Sequence, residues 1–201
     1  MKVSAMQRKL VAIFATFALA IVPAFGLAGC VNEQEVVKQA VTTQLDSLKN
    51  ADEDQIKQVV GDDTFNEMKS YGIDPVEFYQ ACYKKFSYKD TDVKVDGDKA
   101  TVKLNVTNVD IEKVMTDWMN DVMTYMYSAE GLQDAQNLSE DQITQKVMGK
   151  LVDALGDDSA PTKTADVEID LVKKDGQWQA ADESQIASAL FAGADLSDMG
   201  I

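Results

Sequence analysis

Any chemistry in this chain has to be done without histidine. Its 201 residues hold none, against 34 acidic and 19 basic residues, two cysteines, nine methionines and six tyrosines. A serine or cysteine nucleophile that relies on imidazole has no base here. Zinc and copper sites built on imidazole have no ligand. A Ser-Lys dyad or a carboxylate pair stays open by residue type, but no local motif marks one. Asp117 and Asp121 share a helix face. Acting as an acid and a base would require burial to split their pKa values, and a solvated face accounts for them equally well. Asp62-Asp63, Asp96-Gly97-Asp98 and Gly156-Asp157-Asp158 lack the spacing of a calcium loop. A copper site made of methionine alone has no supporting histidine or cysteine. The expectation is a non-enzymatic protein with no cofactor and no metal.

The two cysteines have different surroundings. Phe78, Cys82 and Phe86 are spaced by four, which predicts that Cys82 is a small apolar group on a buried helix face. Cys30 follows a three-part leader. Met1 to Lys9 carries Lys2, Arg8 and Lys9 and no acid, Leu10 to Val22 is uncharged and apolar, and Pro23 to Gly29 is small or helix-breaking. This is a secretory signal layout, too short in its apolar part for a comfortable membrane span. Leu27-Ala28-Gly29-Cys30 resembles a bacterial lipoprotein lipobox. The resemblance implies that residues 1–29 are a signal peptide and that Cys30 opens the mature protein. Its sulfur would carry a diacylglycerol thioether beside an acyl chain such as palmitate. Two or three chains, at ~0.8 kcal/mol per buried methylene, hold a protein on a membrane where one would not. Residues 30–201 would then be one extracytoplasmic domain anchored to the cell membrane.

Losing residues 1–29 removes three basic residues and no acid, moving the net charge from −15 to −18. Such a surface repels nucleic acid and anionic lipid. It keeps an exported protein soluble and favours cationic ligands or partners.

The elements that must position any site follow from periodicity. Val37, Val41, Leu45 and Leu48 predict a helix from about Glu33 to Lys49. Asp52-Glu53-Asp54-Gln55 resembles a capping box, and Asp74-Pro75-Val76-Glu77 is a strong helix start. Two hairpins turn at Asp96-Gly97 and Asp175-Gly176, between segments that alternate apolar and polar. Their one-sided patterning predicts a sheet covered on one face. Between them, a helix from Asp110 through Met126 and one from Ser139 through Leu155 predict an αα-hairpin joined by a polar Gly131–Leu138 connector. Asp182 with Gln185 predicts the cap of a last short helix.

Helices first, then antiparallel hairpins, then the return Leu171-Val172-Lys173-Lys174-Asp175-Gly176-Gln177-Trp178, resemble the nuclear transport factor 2-like, cystatin-like α+β fold. With the lipobox, the chain resembles uncharacterised Gram-positive lipoproteins of that class. The resemblance implies N-terminal helices on a curved antiparallel sheet, with residues of about 110–156 as a helical insertion, and often a cavity at the mouth of the cone. It implies no reaction.

Two candidate sites follow. Phe78, Tyr79, Tyr83 and Trp178 either line a ligand pocket or fill the core. Met115, Trp118, Met119 and Met123 either form an adaptable protein-docking face or pack against the next helix. The expected function is binding at the outer face of the membrane, of a small apolar or cationic ligand or an envelope protein, with a homodimer as one form of docking. A scaffold or accessory subunit docked through the methionine-rich helix is the first alternative. A carboxylate-dependent enzyme is the second. An open pocket at Tyr79, Tyr83 and Trp178 would favour ligand binding, and a filled core with Met119 and Met123 exposed would favour docking.

Overall fold

The computed structural model describes residues 32–194, so the leader and Cys30 lie outside it. The fold is α+β. The described chain forms two compact units, one of residues 32–51, 86–108 and 163–194 and one of residues 52–85 and 109–162. Among the described residues, no helix is long and apolar enough to cross a membrane.

The first unit is built on a four-stranded sheet in the order β1 (Ser87–Asp96), β2 (Lys99–Val109), β3 (Thr162–Lys174), β4 (Gln177–Ala180). The two predicted hairpins pair β1 with β2 and β3 with β4, both antiparallel. Gly97 and the Asp175-Gly176 pair take positive φ at their turns, the geometry that Asp-Gly sequences adopt most readily. The β2–β3 pairing joins the hairpins. Thr101 meets Asp170 at 2.8 Å, Lys103 meets Glu168 at 2.5 Å, Asn105 meets Asp166 at 2.7 Å and Thr107 meets Thr164 at 2.7 Å. Partners advance on one strand as they retreat on the other, so this pair is antiparallel too.

These contacts occupy the polar face. On the opposite face Ala100, Val102, Leu104, Val106, Val167, Ile169 and Leu171 are buried. Helix α1 (Glu33–Lys49) lies against β1 and buries Val37, Val41, Leu45 and Leu48. Full burial of each such side chain contributes about 1.5–3 kcal/mol. Asn32 caps α1 through the Gln34 amide, and the Tyr88 hydroxyl donates to Asp46 at 2.8 Å. The last helix, Glu183–Leu190, becomes α8 below. Asn108, on the buried face of β2, is fully enclosed and donates its amide to the Leu190 carbonyl at 2.9 Å, at the helix end where carbonyls lack intrahelical partners.

The second unit is helical. Helices α2 (Glu53–Val60), α3 (Asp62–Ser70) and α4 (Pro75–Tyr83) come first, then α5 (Ile111–Tyr127), α6 (Ala129–Asn137) and α7 (Glu140–Gly156). Both predicted capping boxes form, Asp52 with Gln55 and Ser139 with Gln142, and Asp74 caps α4 with Pro75 in its first turn.

Two expectations are corrected. The polar connector between the long helices is itself a helix, α6, capped by Ser128 at the Gly131 amide. Gly131 is required there because an added Cβ would stand 2.0 Å from the Tyr125 carbonyl oxygen. Phe86 lies beyond the end of α4 and pairs with Tyr88 at 5.9 Å between ring centres. Lys84 and Lys85 donate to the Gly156 and Asp158 carbonyls, and the chain leaves the helix there. The Gln185 side-chain oxygen accepts from the Asp170 amide at 3.4 Å and links the last helix to β3.

Replacing Asn108 with Ala leaves the Leu190 carbonyl buried without that donor. The variant is expected to lose about 1–3 kcal/mol of stability in urea denaturation. An unchanged midpoint would show that the bond does not hold α8.

Candidate functional site

The α5 helix positions the first candidate. Asp110 caps it at the Lys113 amide, 3.1 Å away. Ile111, Val114, Trp118 and Tyr125 recur on one buried stripe. Trp118, proposed from sequence as part of a docking face, belongs to this stripe instead. Its indole N–H donates to the Val147 carbonyl at 3.0 Å and ties α5 to α7. Met115 is half-buried at the boundary. Next to it on the helical wheel come Met126, Met119 and Met123, so the apolar arc covers about half of the helix circumference at 100° per residue. One neighbouring helix covers part of that arc.

The remainder faces solvent. Among the described residues, the exposed large hydrophobics are Met119, Met123, Met126, Tyr127 and Leu132, from 46 to 78 % accessible, all within α5 and α6. Sequence reasoning singled out Met119 and Met123, on a stretch that also holds Met126 and Tyr127, but missed Leu132. Leu132 was hidden because the connector that carries it read as a loop.

A charged cluster holds this surface in place. Tyr125 donates its hydroxyl to Asp134 at 2.6 Å, and Lys146 reaches both Asp134 and Glu130 at 2.6 Å. Lys146 and Lys150 also lie 5.2 and 5.7 Å from the Tyr125 ring centre. These bonds link α5, α6 and α7. The Lys146 hydrogen bond, then the Tyr125 one, hold the Asp134 carboxyl below the ordinary carboxylate range. Hydrogen bonds to Asp134 and Glu130 raise Lys146.

The second candidate is divided between the units. Phe78, Tyr79 and Tyr83 are buried on α4, with the two tyrosine rings 4.7 Å apart. Cys82 is a buried free thiol among them, as its spacing predicted. Burial pushes the tyrosine hydroxyls and the thiol well above their ordinary values, so all stay protonated. Trp178 is buried in the sheet unit, where Lys173 lies 5.5 Å from its ring centre and pairs with Glu33 at 2.8 Å. All four side chains are buried.

The helical unit also has an open cleft of about 630 Å³ between α4 and α7, lined by Glu77, Lys84, Asp153 and Asp157 among others. Two of its charges, Lys84 and Asp157, are committed to the turn after α7. Lys84 donates to the Gly156 carbonyl and pairs with Asp158 at 2.7 Å, and Asp157 accepts from the Ser159 amide and hydroxyl. Asp117 pairs with Lys113 at 2.8 Å on the exposed face. Among the described residues, no group of three or more histidine, cysteine or acidic side chains is placed to hold a metal.

No protein-family model matches the chain, and no curated protein matches it. Among solved structures, it is similar to a Bacillus subtilis subsp. subtilis protein named "putative lipoprotein (ycdA)", with 17 % identity and a TM-score of 0.45. The match covers 96 % of this chain, which spans 59 % of the length of that one. The site is therefore read from its own geometry.

A depressed carboxyl contributes stability above its unfolded pKa and loses it as pH falls through its folded value. The Asp134 contribution is therefore present at neutral pH and lost below the unshifted value of 3.8. Asp134→Asn is expected to lower stability at pH 7 and to flatten the acid limb of a urea-midpoint profile. A wild-type-shaped acid limb in the variant would remove Asp134 from this role.

Proposed function

We propose that this chain is a non-enzymatic, lipid-anchored protein of the bacterial cell envelope that docks a partner protein on its α5–α6 face. The observation that carries the reading is that the exposed large hydrophobics among the described residues, Met119, Met123, Met126, Tyr127 and Leu132, all lie on the consecutive helices α5 and α6, while Phe78, Tyr79, Tyr83 and Trp178 are buried. A protein surface rarely leaves large apolar side chains contiguous without a use. Unbranched thioether side chains repack around a partner at little cost.

The charge of the rim supports a basic partner. Helices α5 and α6 carry Glu112, Asp117, Asp121, Glu130 and Asp134 against Lys113 alone. The fitting occupant is a protein with an apolar patch edged by basic residues. The same acidity disfavours a second copy of this chain and an anionic lipid surface as occupants.

The anchor rests on the leader and Leu27-Ala28-Gly29-Cys30. Helix α1 starts at Glu33, three residues after Cys30, so the sheet unit would begin almost at the lipid. The non-enzymatic reading is supported by the missing histidine and by carboxylates held ionised by lysines or hydroxyls.

Cys30→Ala is expected to abolish labelling with a clickable palmitate analogue and to leave the membrane fraction or remain unprocessed. Wild-type labelling would end the anchor reading. For docking, a photo-crosslinking residue at position 123 in living cells is expected to give one discrete adduct. A Met119→Asp change should abolish it, and the same crosslinker at Thr101 should give none. Equal adducts at positions 123 and 101, or persistence with Met119→Asp, would sink the docking face.

A further inference from the structure

The sheet ends in an unfinished edge. Strand β3 has 13 residues and β4 has four, paired only with Leu171 to Lys174. Backbone N–H and C=O groups of successive strand residues point to alternate sides. Lys173 donates its amide to the Asp98 carbonyl at 2.8 Å, so the odd positions of β3 face β2. The even positions face away. At Asp170 that outward pair is already satisfied, the carbonyl by the Ala181 amide at 2.8 Å and the amide by the Gln185 side chain at 3.4 Å. The next outward positions are Glu168, Asp166 and Thr164, and among the described residues no strand continues β4 alongside them. A groove of about 370 Å³ runs there between β3 and α8, lined by Val167, Glu168, Gln185, Ser188 and Ala189.

We infer that this edge is a second binding site, separate from the α5–α6 face, which takes an extended peptide strand with basic residues at alternate positions. An added strand would sit about 4.8 Å from β3 and complete the bonds of Glu168, Asp166 and Thr164. Its side chains on one face meet the row Asp166, Glu168 and Asp170, which faces Lys103 as its cation on β2. That row selects lysine or arginine. Its other side chains enter the groove beside Val167 and Ala189, which admits small apolar groups. Carboxylates along an edge also repel acidic strands, so a second copy of this chain, at net −15, is turned away.

The test uses the full chain in detergent micelles and the peptide acetyl-Lys-Val-Lys-Val-Lys-Val-amide, with the Glu-Val counterpart as control. Amide exchange at Asp166 and Glu168, followed by NMR, is expected to slow roughly tenfold with the basic peptide and not with the acidic one. Glu168→Pro removes an outward N–H and leaves the backbone bonds to β2 in place, losing there only the side-chain pair with Lys103, and should weaken binding by about tenfold or more. The double change Asp166→Lys with Glu168→Lys should reverse the peptide preference. The proposal is overturned if near-saturating basic peptide leaves both amides unchanged, or if both peptides protect them equally. It is also overturned if the amides are protected without peptide and released by deleting residues 195–201, which would make the chain's own C-terminal segment the occupant.

Discussion

The pairing of β2 with β3 is the constraint on which the sheet unit depends. It joins two hairpins that lie far apart in sequence, and it decides which side chains are dry. A one-residue slip of β3 against β2 would turn Val167, Ile169 and Leu171 to water and bury their charged neighbours. The outer-face contacts Thr101–Asp170, Lys103–Glu168 and Asn105–Asp166 all belong to a single register, and each would be lost in a slipped one. Exposed pairs of this kind add little stability singly. Their value is in discriminating between registers, while the apolar face supplies the energy. The same register carries β3 beyond the end of β4 and so creates the open edge beside α8.

In the helical unit the comparable constraint is the junction of α5, α6 and α7. The Trp118 indole and the Tyr125–Asp134–Lys146 cluster fix which arc of α5 is buried. Once that arc is set, the methionines beside it have nowhere to go but outward. The surface read as a docking face thus follows from how the core of the unit is closed. Its adaptability comes from residue choice, since three thioether chains can repack where branched side chains in the same positions could not.

Local chemistry was largely legible in the sequence. The bounds of α1, the capping boxes at Asp52 and Ser139, the Asp74-Pro75 start and both Asp-Gly turns depend on residues within four positions of one another, and all formed. The errors lie where distant contacts intervene. Helix α6 was read as a loop because its polar composition hid the Ser128 cap and the close approach of Gly131 to Tyr125. Phe86 was assigned to α4 because periodicity cannot register that Lys84 and Lys85 bind the end of a helix some seventy residues away. No local spacing marks Asn108, and only packing shows its amide enclosed against α8.

By itself the sequence determined the α+β class, the excluded imidazole chemistry, the acidic composition and the lipobox-like motif ending at Cys30, since composition and short spacing carry all of these. It also narrowed the possible sites to an aromatic set and a methionine-rich helix. Only the tertiary structure shows which of those side chains are buried and which are exposed. An amphipathic stripe states that some face is apolar, but not how much of it a neighbour will cover. That depends on the shape of the neighbour and on the bonds that fix its position. Here Trp118 went inside, Met119, Met123 and Met126 stayed outside, and the tyrosines of α4 closed over Cys82.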